Sequence, residues 1–180
     1  MSPQVGENLM LWAVRASVAC YVVALWHWLF AGRNCKDGFP FPDHTYRFFW
    51  FAAWIFCVLH VIFAFHFRHH WVHDVAIEHT AEMTERVVGI RWGGGLYVNY
   101  VFLICWGASA VPSWLGHGGY VEMQRWLQSG IHAFAAFMMF NATAIFGPLW
   151  WWIPTLAVVS AVAFRWSRRK RVLGEGLHHQ

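Results

Sequence analysis

The chain has 180 residues, 58% hydrophobic, 19% aromatic and only 12% charged, which is too apolar for a soluble domain, where about 25% of residues are charged. Its formal charge of +4 is dominated by Arg165, Arg168, Arg169, Lys170 and Arg171, placed directly after an apolar run where basic residues anchor a helix and set its orientation rather than bind nucleic acid. No serine-nucleophile motif or phosphate-cradling glycine loop is evident, so the expectation is an all-α integral membrane protein forming a single membrane domain over 1–180.

Candidate spans approaching the ~20 residues that cross a bilayer fall at 9–31, 46–66, 94–112, 126–147 and 149–166. "MSPQVGEN" lacks a basic leader, and no small-x-small cleavage site follows "LWHWLFAG", so the first span reads as an uncleaved helix. "GRNCKDGFPFPDHT" is a turn-rich loop before the second span. "RWGGGLYVNY" opens the third, where Gly93, Gly94 and Gly95 permit a tight entry turn or close helix packing. "PSWLGHGGYVEMQRW" reads as a loop leading to a short interfacial helix.

Residues 129–166 are too long an apolar run for one crossing. Gly147-Pro148 within "FGPLWWWIP" is a turn signal that divides them and places three tryptophans as an interfacial belt. The expected fold is therefore a bundle of about five transmembrane helices, with four as the alternative count, followed by a basic tail at 167–180. Cys20, Cys57 and Cys105 lie in apolar runs, and with Cys35 no pair has CxxC spacing, so free thiols are expected.

In the five-span topology Arg33, Lys36, Arg47, Arg125 and the five basic residues of the tail share one side, against Arg68, Arg86 and Arg91 on the other. The positive-inside rule makes the richer side cytoplasmic. This implies a bacterial inner-membrane protein with a cytoplasmic C-terminus, and it puts residues 66–88 on the outer, periplasm-like face.

That outer segment, "HFRHHWVHDVAIEHTAEMTE", gathers five histidines and four of the chain's 9 acidic residues. No proline or glycine lies between Phe51 and Val88, so the second helix is expected to continue beyond the bilayer without a break. At about 100° per residue, His66, His69, His70 and His73 share one stripe. Asp74, Glu78, Glu82 and Glu85 occupy the neighbouring one, with His60 a register below, and His79 stands apart. Imidazoles spaced i, i+3 and i+4 can share a metal ion.

The candidate metal ligands are accordingly His66, His69, His70 and His73, with Glu78, His79 and Glu82 as additions, and the donor set suits Fe, Zn or Cu. In a metal-assisted reaction Glu82 or Glu85 would transfer protons. The competing readings are a solvated polar face, in which Glu82 pairs with Arg86, and a proton-buffering face. Beneath the stripe His60, Asn99 and Asn141 lie at one membrane level on three helices, a candidate polar floor or a set of interhelical hydrogen bonds. A second constellation, His27 and His132, places two histidines from separate helices at a shared depth, as the axial pair of a b-type haem requires. His60 is a candidate at another level, and Gly130 would allow close approach of the macrocycle.

"HFRHH" resembles one H-x-x-H-H box of the membrane desaturases and hydroxylases, whose di-iron sites activate oxygen, although no second such box follows. "FHFRHHWVHDVAIEHTAEMTERVVGIRWGGGLYVNYVF", followed by "FMMFNATAIFG", resembles a bacterial family of small multi-span proteins to which no activity is assigned. Three classes follow: a metal-binding redox or metal-handling component, a b-type haem electron-transfer subunit, and a structural or accessory subunit. The expected partners are the lipid bilayer and other membrane-protein subunits or a second copy, with no nucleic acid.

Overall fold

A computed structural model describes residues 3–30, 44–115 and 125–175. Residue 31 at the end of the first expected span, the 32–43 part of the expected loop 32–45, the 116–124 part of the next loop and tail residues 176–180 lie outside them. Among the described residues all regular structure is helical. Six α-helices, α1 (Pro3–Phe30), α2 (His44–Phe63), α3 (His73–Val88), α4 (Gly95–Leu115), α5 (Arg125–Phe140) and α6 (Trp152–Glu175), are joined by π-turns at Ala64–Arg68 and Asn141–Ile145 and a 3-10 turn at Leu149–Trp151.

Gln4–Phe30, His44–Arg68 and Gly95–Leu115 are long and apolar enough to cross a membrane, and they coincide with the first three expected spans. The fourth and fifth expected spans correspond to α5, 16 residues long, and to the shorter apolar stretch Leu149–Arg165.

The chain divides into two compact units, Met1–Met139 and Phe140–Gln180. In the first, α1 packs closely on α2 because Ala13, Ser17 and Ala24 on one side and Ala53 on the other are all buried and small. Small residues let helix backbones approach where no hydrophobic drive between helices exists. The Ser17 hydroxyl donates to the Ala53 carbonyl at 2.8 Å and spares the buried oxygen an unpaired state. Around this contact Tyr21, Tyr46, Trp50, Phe102, Trp106, Ala135 and Met139 form the buried cluster.

Indole N–H groups tie α2 to α4: Trp50 donates to Ser109 Oγ at 3.2 Å and Trp54 to the Leu103 carbonyl at 3.0 Å. Arg47 in the first turn of α2 donates to the Ser113 carbonyl at 2.5 Å and to that of Trp114 at 3.2 Å. A cation there satisfies the free carbonyls at the negative end of α4. Cys20, Cys57 and Cys105 are free thiols, as expected.

In the second unit the π-turn closes with the Phe146 N–H on the Asn141 carbonyl at 2.9 Å. A side chain at Gly147 would collide with the Thr143 carbonyl, and Pro148 is extended (φ −67°, ψ 150°), so the glycine-proline pair does end the helix. Pro154 sits in the first turn of α6, where its missing N–H costs nothing. Helix α6 runs on to Glu175, so most of the expected basic tail is helical.

The expected unbroken extension of the second helix is corrected. After the π-turn, His70 (φ 49°) and Trp71 (φ 61°) adopt left-handed backbone, Val72 is extended (φ −92°, ψ 114°), and a separate helix starts at His73. Left-handed backbone costs roughly 1–2 kcal/mol per non-glycine residue, and local propensity opposes it. Packing overrides propensity here: with the break, Ala76 and Ala81 are buried, and so is His69. Asp74 in the first turn of α3 favours a helix start at this point, and Gly89 (φ 78°) closes the far end as a left-handed cap donating to the Glu85 carbonyl at 2.8 Å.

Of the three entry glycines, Gly93 lies under α3. A Cβ there would stand 2.5 Å from Ile77 Cγ2 and 2.9 Å from the Ile77 carbonyl oxygen. Gly93→Ala is expected to cost about 1–3 kcal/mol and to raise hydrogen–deuterium exchange across 73–88 selectively. Unaltered exchange there would show that the contact does not hold α3.

Candidate functional site

Breaking the helix at 69–72 redistributes the expected ligand stripe. His66 is exposed, and its Nδ1 accepts a long hydrogen bond from Trp71 Nε1 at 3.4 Å. His70 is exposed in the left-handed turn. His73 lies between two phenols, with Nε2 3.5 Å from the Tyr97 hydroxyl and Nδ1 3.4 Å from that of Tyr100. Glu78 is ion-paired with Arg91, which also binds Glu85 at 2.8 Å. Glu82 stands 3.8 Å from Arg86, the i, i+4 pair that its spacing implies. His66, His69, His70 and His73 do not form the expected stripe, because the left-handed His70 and Trp71 and the extended Val72 interrupt the helix that would align them.

The break instead joins His69 and His79. Their ring centres are 5.4 Å apart at 48°, and His69 is 7% exposed with Nδ1 buried and without a hydrogen-bond partner. The Phe65 ring packs edge-on against His69 at 5.5 Å. A metal–nitrogen bond of about 2.0–2.1 Å puts each ring centre roughly 3 Å from the ion, so two imidazoles on one tetrahedral ion have centres about 5 Å apart. The observed separation suits that geometry. Among the described residues, no group of three or more His, Cys, Asp or Glu converges, so this pair would supply two ligands of a metal's set.

The electrostatics favour the neutral form of both rings. Burial lowers the pKa of His69 below the ordinary 6.5, and the charges of His79, Arg68 and His70 lower it further. Burial also lowers that of His79, with Arg68 and Arg86 adding to the effect and Glu82 opposing it. Neutral imidazole is the form that binds metal.

The sign of the pH dependence follows. Below pH 6.5 the unfolded chain takes up protons that the folded pair resists, and where the unfolded state binds more protons stability rises with pH and falls as pH falls. The metal-free protein is therefore expected to lose stability as pH drops from 7.5 toward 5.5. A His69→Gln/His79→Gln variant should show a flatter melting profile, and equal slopes for both proteins would remove the pair as the cause.

The second constellation is not arranged as a haem pair. His132 is 3% exposed, its Nε2 is 2.9 Å from the Tyr46 hydroxyl, and the Tyr21 hydroxyl donates to its backbone carbonyl at 3.0 Å. Trp28 stacks on the ring at 4.2 Å and 25°, and Trp50 lies at 4.4 Å. With Nε2 engaged and indoles against the ring, a macrocycle does not fit on that nitrogen. Trp28, and not the adjacent His27, is the residue of α1 stacked on His132.

His60 Nδ1 hydrogen-bonds the Met10 carbonyl of α1 at 2.9 Å, a helix-pairing contact. Sequence reading missed Tyr46 and Trp50, whose spacing with Ala53 and Cys57 marks one buried face of α2. No family model, curated protein or solved structure matches this chain.

Proposed function

We propose that the chain is an integral membrane protein that binds a transition-metal ion through His69 and His79, acting as a metal-handling or redox component of the bacterial inner membrane with a cytoplasmic C-terminus. The observation that carries this reading is the inward turn of His69, enforced by two left-handed residues, which sets its ring 5.4 Å from that of His79. Strained backbone of this kind concentrates at functional sites, and nothing in the sequence of 69–72 requires it for helix termination. The three apolar helices support membrane insertion. Water or a partner subunit would complete the coordination, with Zn, Cu or Fe as the candidate ions.

The test is elemental analysis of the protein purified in detergent, with cobalt(II) titration of the metal-free form. The expected result is one metal per chain and ligand-field bands of a nitrogen-ligated ion. Metal at background level with a featureless titration would reject the assignment. A reporter fused to the C-terminus, active only when cytoplasmic, tests the topology.

A further inference from the structure

The His132 enclosure, a buried polar arrangement of the first unit, has no part in the proposed metal site. From it we infer that Tyr46 and His132 form a proton-coupled redox pair, in which Tyr46 gives one electron to an outer-sphere, high-potential metal complex and its phenolic proton passes to His132 Nε2. Three helices assemble it: Tyr21 and Trp28 from α1, Tyr46 and Trp50 from α2, and His132 from α5.

The geometry suits each half of the step. With the imidazole proton on Nδ1, Nε2 accepts from the Tyr46 hydroxyl, and the 2.9 Å contact makes it a base already in place. Loss of the electron leaves a neutral tyrosyl radical, and the O–H bond that breaks is replaced by the N–H bond of an imidazolium. Charge is thus conserved within the pair except for the electron that leaves. The imidazolium lies against two indole rings, Trp28 at 4.2 Å and Trp50 at 4.4 Å, where a cation is attracted to the ring faces.

Further rings adjoin Tyr46. Trp50 is parallel to Tyr46 at 6.0 Å and 13°, and it lies 5.1 Å from Trp106. Trp28, stacked on His132, is half-buried at the end of α1. Burial of Tyr46 and His132 keeps solvent from the radical.

The experiment is flash oxidation of the full chain in nanodiscs by photogenerated tris(bipyridine)ruthenium(III), followed by optical and electron paramagnetic resonance detection. The wild type should yield a tyrosyl radical whose formation slows in deuterium oxide. Tyr46→Phe should lose that radical, and His132→Gln should form it about a hundredfold more slowly. No tyrosyl signal in the wild type, an undiminished signal in Tyr46→Phe, or the wild-type rate in His132→Gln each overturns the inference. Should a variant fail to fold, the wild-type isotope effect decides: a rate equal in both solvents excludes proton transfer to His132 as part of the step.

Discussion

Trp106→Ala is expected to lower the unfolding free energy of the detergent-solubilised protein by about 3–5 kcal/mol, the range for removing a buried large aromatic. Trp106 is 0% exposed and touches the rings of Tyr21 at 6.0 Å, Trp50 at 5.1 Å and Phe102 at 5.1 Å. It thereby links α1, α2 and α4. Within a bilayer the loss is mainly one of packing, because lipid tails are as apolar as the protein interior. A cavity lined by rings from three helices collapses poorly, which puts the cost at the upper end.

Trp106→Phe separates packing from hydrogen bonding. The Trp106 Nε1 is buried without a hydrogen-bond partner, so losing it removes an unsatisfied donor, and the variant should lie much closer to wild type than Trp106→Ala. Trp50→Phe loses the bond to Ser109 and should be the more damaging of the two phenylalanine substitutions. Thermal melts of the four proteins in one detergent check the order. Equal melting of Trp106→Ala and wild type would mean that the ring cluster does not hold the bundle together.

The second large effect concerns metal affinity. His69→Ala and His79→Ala are each expected to weaken binding by at least the 10–100-fold typical of losing a ligand's supporting partner, because each removes a ligand itself. Replacing His66, His70 or His73 should leave affinity unchanged, since those rings point to Trp71, solvent and the two tyrosines. This contrast is specific to the folded geometry: a stripe on a continuous helix would make His66 and His70 as sensitive as His69 and leave His79 indifferent. Isothermal titration with zinc distinguishes the two patterns. Because both pKa values are lowered, protons compete with the metal only below the ordinary histidine range, and affinity should persist to lower pH than for an exposed pair. Glu78→Gln, by comparison, should loosen the Arg91 contact without changing metal content.

Much of the helical layout is legible in the apolar runs. The first three spans and the turn at Gly147-Pro148 follow from run length and from two residues that cannot continue a helix. The failure at 69–72 is instructive because the signals there were weak but present. Asp74 marks a helix start, and the β-branched Val72 precedes it, yet without glycine or proline a continuous helix has the better local energy. On an unbroken helix the angle of His79 leads away from the other imidazoles.

The composition and order of residues by themselves determine that this chain is helical, that it is apolar enough to be read as membrane-spanning, and that five of its histidines crowd the end of the second apolar run. These properties depend on run length, transfer of side chains from water and backbone preferences, all of which are local. Which histidines meet was decided only by tertiary structure. The burial of Ala76, Ala81 and His69 outweighs the strain at His70 and Trp71, and packing among α1, α2 and α5 encloses His132 with Tyr46, Trp28 and Trp50. Both outcomes depend on contacts between residues distant in sequence, whose energies no local pattern contains.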